Sequence, residues 1–268
     1  MSRQYDILVI DDEHVVVDVV GKICSSENLS VDFAIEAQTA LEKIDKNEYK
    51  LVVCDIMMPG MDGFGFLEEM HKKKITTPLI MTTGYSTVEN AVRSLYSGAI
   101  DFIPKPFTAD ELLSSVYRGL KYGDIQNKMR SNQNAPGANS LLYVPCPAKY
   151  FRLGYASWLS VEREGSVTLG VTDLFLKTIE NILSITLMEN DNEIIQGSSC
   201  VQIKSENEII NYVLAPVSGR IIESNDEILN DMSILEKDPY FKGWIYRLIP
   251  TDIEYQLKHL TPCSSDRI

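Results

Sequence analysis

The sequence predicts an α/β chain: a doubly wound parallel sheet built from five βα units, followed by a second, mostly β domain. Three observations predict it. Strand and helix signals alternate five times over roughly the first 120 residues, the pattern of a parallel sheet covered by helices on both faces. A polar stretch at 124–140, DIQNKMRSNQNAPGANS, is rich in Asn, Ser, Gly and Pro and has the composition of a linker. Beyond it, short strand signals separated by turn residues take over.

The elements follow in order. YDILVI (5–10) is a short apolar strand, and EHVVVDVVGKICSSE (13–27) has helical spacing. SVDFAI (30–35) and AQTALEKIDKNE (37–48) repeat the pair, as do YKLVVCDI (49–56) and GFGFLEEMHKKK (63–74). PLIMTTG (78–84) precedes the helix STVENAVRSLYSG (86–98), which closes on Gly98. AIDFIPKP (99–106) and TADELLSSVYRGLKYG (108–123) complete the set. This gives domains at 1–122 and 141–268 with a linker at 123–140. In the second domain YASWLSVE, GSVTLGVT, ILSITLME, SCVQIKS, IINYVLAP and GRIIESN read as strands. One helix at DLFLKTIENI (173–182) interrupts them, and another begins near TDIEYQLKHL (251–260).

Composition narrows the functional classes. A chain of 268 residues can bury two cores. No apolar run reaches the length of a membrane span, and the N-terminus moves straight into a strand without the pattern of a signal peptide. The five cysteines are scattered, odd in number and without CxxC spacing, which points to reduced thiols in a cytoplasm. Cys24 and Cys54 sit in apolar runs and read as small core residues. The net charge is −13, and both halves carry more acidic than basic groups. Nucleic-acid binding needs a basic footprint; neither half supplies one, so no nucleic acid is expected.

Chemistry gathers at the strand ends of the first half. Asp11 and Asp12 follow the first strand, and Asp55 ends the third. In a doubly wound sheet with those strands adjacent, the three carboxylates converge where such sheets bind ligands. Clustered carboxylates repel, and Mg²⁺ suits a site with few carboxylates and several waters. Thr83 and Lys105 end the fourth and fifth strands and supply a hydroxyl and an ammonium for phosphoryl oxygens. Metal site, acidic nucleophile and oxyanion clamp are the parts of a phosphoryl acceptor. Each residue has a plainer reading by itself. Asp11 and Asp12 are good helix caps, a Lys before Pro is usually solvated, and Thr83 is at home in a strand. Their joint occurrence, in order, favours the site.

With ILVIDDE (7–13), CDIMMPGMDG (54–63), MTTG (81–84) and DFIPKPF (101–107) in place, the first domain resembles a two-component response-regulator receiver domain over its whole length. The resemblance implies that Asp55 is the phosphoacceptor. It implies that Asp11, Asp12, Asp55 and the backbone carbonyl of Met57 hold Mg²⁺, and that Thr83 and Lys105 bind the phosphoryl group. Phe102 stands at the family's switch aromatic, beside the plainer reading of core packing. Met57 and Tyr85 occupy positions that flank the path of the attacking water in the family. Both are bulky or apolar, so slow self-dephosphorylation is expected. The implied partners are a sensor histidine kinase or phosphotransfer protein, an output protein, and a second copy of the chain in a phosphorylation-dependent homodimer; no membrane is involved.

In the second domain, WLSVEREGSVTLGVTD (158–173), APVSG (215–219) and LEKDPYFKGWIYRLIPTD (235–252) resemble the H-protein of the glycine cleavage system. The resemblance covers about 145–260 and implies a flattened barrel-sandwich hybrid with flanking helices. That family carries a lipoyl group on a hairpin lysine eight residues before the proline of PVSG. Counting back from Pro216 reaches Glu208 within SENEI, and Lys204 lies four residues earlier, inside the incoming strand. Glutamate cannot form the amide, so no lipoyl group is expected and Glu208 reads as a solvated turn residue at a degenerate lipoyl position. The leading reading is a phosphoacceptor signalling protein, not an enzyme, whose output is protein–protein interaction. A receiver-gated carrier lipoylated at Lys204 is one alternative. A transcription regulator with an atypical output domain is another.

Overall fold

In the computed structural model, residues 3–133 and 142–267 are described. They fall into two compact units, residues 1–86 with 97–138, and residues 87–96 with 139–268.

The first unit is built on five parallel strands: β1 (Gln4–Ile10), β2 (Val31–Ala34), β3 (Glu48–Asp55), β4 (Leu79–Thr83) and β5 (Asp101–Pro104). Their order is β2-β1-β3-β4-β5. The helices between and after them along the chain are α1 (His14–Ser26), α2 (Ala37–Ile44), α3 (Gly63–Lys72), α4 (Val88–Tyr96) and α5 (Ala109–Gln133). Because helices cover both faces, the central strands are apolar on both sides rather than alternating. Ile7, Leu8, Val9 and Ile10 are all fully buried, as are Cys24 and Cys54. The order places the ends of β1 and β3 side by side at the middle of the sheet. The chain reverses direction of winding there, so a crevice opens at the carboxyl edge.

One expectation is corrected. Residues 124–133 were expected to be linker, yet α5 continues through them to Gln133. The stretch is polar, but Gln, Lys, Met and Arg are good helix formers, and no glycine or proline interrupts it before Pro136. The extension is also held by its own unit: Arg130 donates to Thr76 Oγ1 at 2.6 Å, and Gly123 lies against Pro78. The rest of the expected linker, 134–140, lies outside the described residues.

The second unit is mostly antiparallel sheet. Its strands are β6 (Phe151–Leu153), β7 (Ser157–Val161), β8 (Val167–Val171), β9 (Ile182–Leu187), β10 (Glu193–Ile194), β11 (Ser199–Ser205), β12 (Ile210–Leu214), β13 (Gly219–Ser224), β14 (Trp244–Pro250) and β15 (Thr261–Pro262). They form a seven-stranded sheet, β10-β13-β14-β8-β7-β6-β15, and a three-stranded sheet, β12-β11-β9. Short helices lie between strands: α6 (Asp173–Thr178), α7 (Glu227–Asn230), α8 (Ser233–Lys237) and α9 (Ile253–Gln256). The expected helix at 173–182 ends at Thr178, where Ile179 turns extended with φ −100° and ψ 162°. Its start was legible: Thr172 caps α6 by accepting from the Phe175 amide. Strand β14, central in the larger sheet, was absent from the sequence reading. WIYRLIP packs Ile245, Tyr246 and Leu248 inward and leaves Arg247 and Ile249 exposed.

Candidate functional site: the acidic edge and the carrier-type hairpin

The carboxyl edge of the first sheet brings together most of the residues singled out above. Asp11 and Asp55 are almost fully buried at the ends of β1 and β3. The Lys105 ammonium, just past β5, sits 2.6 Å from Asp11 Oδ2 and 2.6 Å from Asp55 Oδ1. The second oxygen of Asp55 accepts the Met57 amide at 2.6 Å, and Asp11 Oδ1 accepts the Glu13 amide at 3.1 Å. Thr83 is fully buried; its hydroxyl accepts the Tyr85 amide at 3.1 Å. The Thr83 carbonyl accepts the Lys105 amide at 2.8 Å, which ties the fourth and fifth strand ends together.

The electrostatics follow from burial. Desolvation pushes the Asp11 carboxyl above its usual range, and its bonds to Lys105 and Glu13 only partly oppose this. For Lys105, desolvation alone would lower the ammonium pKa; the hydrogen bonds to Asp11 and Asp55 outweigh it and the net shift is upward. The site therefore holds a firmly charged cation between two carboxylates.

Asp12 does not join that pair and is exposed at the crevice mouth. Among the described residues no group of three His, Cys, Asp or Glu side chains is arranged to hold a metal ion. The lysine fills the position between the two buried carboxylates. The donor set nonetheless fits a hard cation. Two buried carboxylates, a third at the mouth and one ammonium leave surplus negative charge, and all the donors are oxygens. Met57 and Tyr85 flank the edge with exposed side chains, 54% and 69%. Phe102, on β5, is half-buried and packs against the core of its unit.

In the second unit the expected hairpin is β11–β12. Its tip runs from Glu206 to Ile209, closed by Ser205 N to Ile209 O at 3.0 Å and Glu208 N to Ser205 O at 2.8 Å. Asn207 Oδ1 accepts from the Ser205 hydroxyl and the Ile209 amide, the local side-chain-to-backbone bonding that favours Asn in turns. Glu208 adopts φ +65°, a left-handed conformation that costs a non-glycine residue about 1–2 kcal/mol. Its side chain is 79% exposed and 3.6 Å from the Lys204 ammonium. Lys204 lies in mid-sheet, opposite Ile210 on one side and Ser184 on the other. Glu208 stands at the tip, whereas Lys204 belongs to the paired strand with its side chain 37% exposed.

Comparison with known proteins divides the chain in the same way. Residues 7–117 match the response regulator receiver domain, and residues 149–265 match the glycine cleavage H-protein. The two family models thus match successive parts of the chain, the first over the parallel sheet and the second over the antiparallel sheets. Among curated relatives it is similar to the regulatory protein VanR of Enterococcus faecium, 38% identical over 129 residues, covering 48% of this chain and 55% of the relative. It is also similar to the transcriptional regulatory protein TcrA of Mycobacterium tuberculosis, 32% identical over 119 residues, covering 44% and 47%. The chain thus spans about half the length of these relatives. Among solved structures it is similar to the receiver domain of NtrX from Brucella abortus, at 39% identity and TM-score 0.41 over 43% of this chain and 98% of that one. It is likewise similar to a glycine cleavage system H protein from Mycobacterium marinum, at 24% identity and TM-score 0.40 over 44% and 94%. Receiver-domain response regulators are signalling proteins that interact with a histidine kinase or phosphotransfer partner, and receiver domains generally use Mg²⁺ for phosphorylation. Among the described residues no helix is long and apolar enough to cross a membrane.

Proposed function

We propose that the chain is a cytoplasmic two-component response regulator. Asp55 accepts a phosphoryl group from a sensor histidine kinase or phosphotransfer protein, and the signal leaves through protein–protein interaction of a non-lipoylated H-protein-like domain. The observation that carries this reading is the Lys105 ammonium bridging the buried Asp11 and Asp55 carboxylates at 2.6 Å each. An Asp55 oxygen forms the new P–O bond as the P–N bond of phosphohistidine breaks; the imidazole leaves with the electron pair and takes up a proton. Asp11, Asp12, Asp55 and the Met57 carbonyl would hold Mg²⁺, which would neutralise charge on the transferring phosphoryl. Lys105 and the Thr83 hydroxyl bind the phosphoryl oxygens afterwards, which draws both from their present partners and lets Phe102 turn further inward. A change of that kind at the ends of β4 and β5 is one that a phosphorylation-dependent homodimer or an output protein can discriminate.

The Met57 and Tyr85 side chains are bulky and exposed, and neither orients a water well on the acyl phosphate. Self-dephosphorylation of the purified protein is accordingly slow, with a half-life well beyond seconds. A half-life of seconds, followed by loss of the phosphoryl mass, would contradict the assignment.

Two measurements separate this function from its alternatives. Affinity retention of partner proteins on the full chain is expected to change with beryllofluoride, and to stop changing in Asp55→Asn; identical retention with and without beryllofluoride counts against a switched output. Intact mass of protein made in lipoate-supplied cells is expected to show no lipoyl adduct. An adduct abolished by Lys204→Ala would establish the carrier reading instead. The relatives called transcriptional regulators match under half of the chain, and the second half is acidic; salt-dependent retention on DNA would favour that role.

A further inference from the structure

The acceptor carboxylate is only as well placed as the backbone that carries it, and at Asp55 that backbone is held from two sides. From the sheet, Ile56 N donates to Thr82 O at 2.9 Å, and Asp55 pairs with Thr82 in the β3–β4 register. From the other side comes the first turn of α3. Gly63 N donates to Ile56 O at 2.9 Å, and a Cβ at Gly63 would stand 2.5 Å from the Asp55 carbonyl oxygen and 2.9 Å from Ile56 Cα. Both contacts are to backbone, which has no flexible end to swing away. Gly63 has no positive φ among its peculiarities, so the glycine answers to close approach, not to backbone conformation. The Asp55 carbonyl is also met by the Cys54 thiol at 3.2 Å. Asp62 fixes the same helix start by accepting from Gly65 N at 2.7 Å.

We propose that Gly63 is a positioning residue for the Asp55 carboxylate: its missing side chain lets the start of α3 seat directly on the acceptor's own peptide group. A methyl at 63 must push the β3–α3 junction apart, which tilts the Asp55 side chain away from the Met57 amide and the Lys105 ammonium. This inference rests on the phosphoacceptor reading of Asp55. It assigns Gly63 no contact with the phosphoryl group.

The test labels the full chain with acetyl phosphate at saturating Mg²⁺ and follows the backbone amide of Met57 by NMR. Gly63→Ala is expected to lower the maximal labelling rate about 10- to 100-fold, since displacement of a reacting group by an ångström costs on that order. The half-saturating donor concentration is expected to change little, and the Met57 amide to shift. Gly21→Ala, whose Cβ meets nothing within 4 Å, is expected to label like wild type. Asp62→Ala loosens the same helix start without adding atoms, so it is expected to slow labelling, and Asp62→Ser, which keeps a cap, to restore it. This pair decides the matter if Gly63→Ala does not fold. A folded Gly63→Ala that labels within about twofold of wild type, with an unmoved Met57 amide, overturns the proposal; so does equal labelling of the two Asp62 variants. A wild-type chain that takes no label overturns the phosphoacceptor reading itself, a distinguishable result.

Discussion

Asp55→Asn is expected to abolish labelling of the chain by acetyl phosphate, with a fall in rate of roughly 10³-fold or more, the scale on which removal of a nucleophile acts. The amide cannot form the acyl phosphate, and it also withdraws one of the two charges that hold Lys105. The fold should tolerate the change. Asn is close to isosteric with Asp, its amide oxygen can still accept the Met57 amide, and Lys105 keeps Asp11 as a partner at 2.6 Å. Loss of label with an unchanged far-ultraviolet circular dichroism spectrum is therefore the expected pair of results, and mass spectrometry of the wild-type chain should place the phosphoryl on Asp55. If Asp55→Asn labels as fast as wild type, the acceptor lies elsewhere. Asp11 and Asp12, the carboxylates that follow β1, would be the next to test.

The first unit was legible in the sequence because its signals are local and redundant. Four of the five strands are short apolar runs closed by Gly, Pro or Asp, and each helix carries its own periodicity. The order of the strands was the inference that mattered: with β1 beside β3, Asp11 and Asp55 had to meet. What the sequence did not reveal was the role of Lys105 as the bridge between them, or the exclusion of Asp12 from that bridge. Both depend on side-chain directions at strand ends, where one residue's difference points a group into the crevice or out to solvent. The end of α5 was misplaced for a different reason. Composition alone marked 124–140 as linker, but a polar segment stays helical when tertiary contacts such as Arg130 with Thr76 hold it.

The second unit was less legible, and β14 shows why. WIYRLIP carries an inward Ile-Tyr pair in succession, and the β14–β8 register shifts between Trp244 and Tyr246, so the strict alternation of a half-buried strand is broken at its start. The hairpin was predictable in place, since SENE lies between two alternating apolar runs. Its geometry sharpens the contrast between the two candidate residues. Glu208 occupies the protruding left-handed position, while Lys204 is bonded into the sheet on both sides. The 3.6 Å approach of their charges is a surface pair worth about 0–1 kcal/mol, too little to make the hairpin depend on it.

Trp158→Ala is expected to destabilise the second unit by about 3–5 kcal/mol, the range for removing a fully buried large aromatic. The indole is 1% exposed and stacked on Tyr150 with ring centroids 5.0 Å apart. Its Nε1 donates to both the Val171 carbonyl, at 3.0 Å, and the Pro239 carbonyl, at 3.1 Å. Gly170 makes room for it: a Cβ there would lie 2.6 Å from indole Cζ2. The ring thus joins β7, β8 and the Asp-Pro-Tyr turn at a single point, and no neighbour can collapse into its volume without moving one of them. The chain has two tryptophans, Trp158 and Trp244. Both lie in the second unit, so in the variant the fluorescence of Trp244 follows that unit through urea unfolding. A midpoint shift equivalent to less than about 1 kcal/mol would show that the site repacks. Trp158→Phe separates the two contributions. It keeps most of the ring and loses the two hydrogen bonds, so it should cost about 1–3 kcal/mol. If Phe proves as damaging as Ala, the paired carbonyls, and not the buried ring, hold the turn against the sheet.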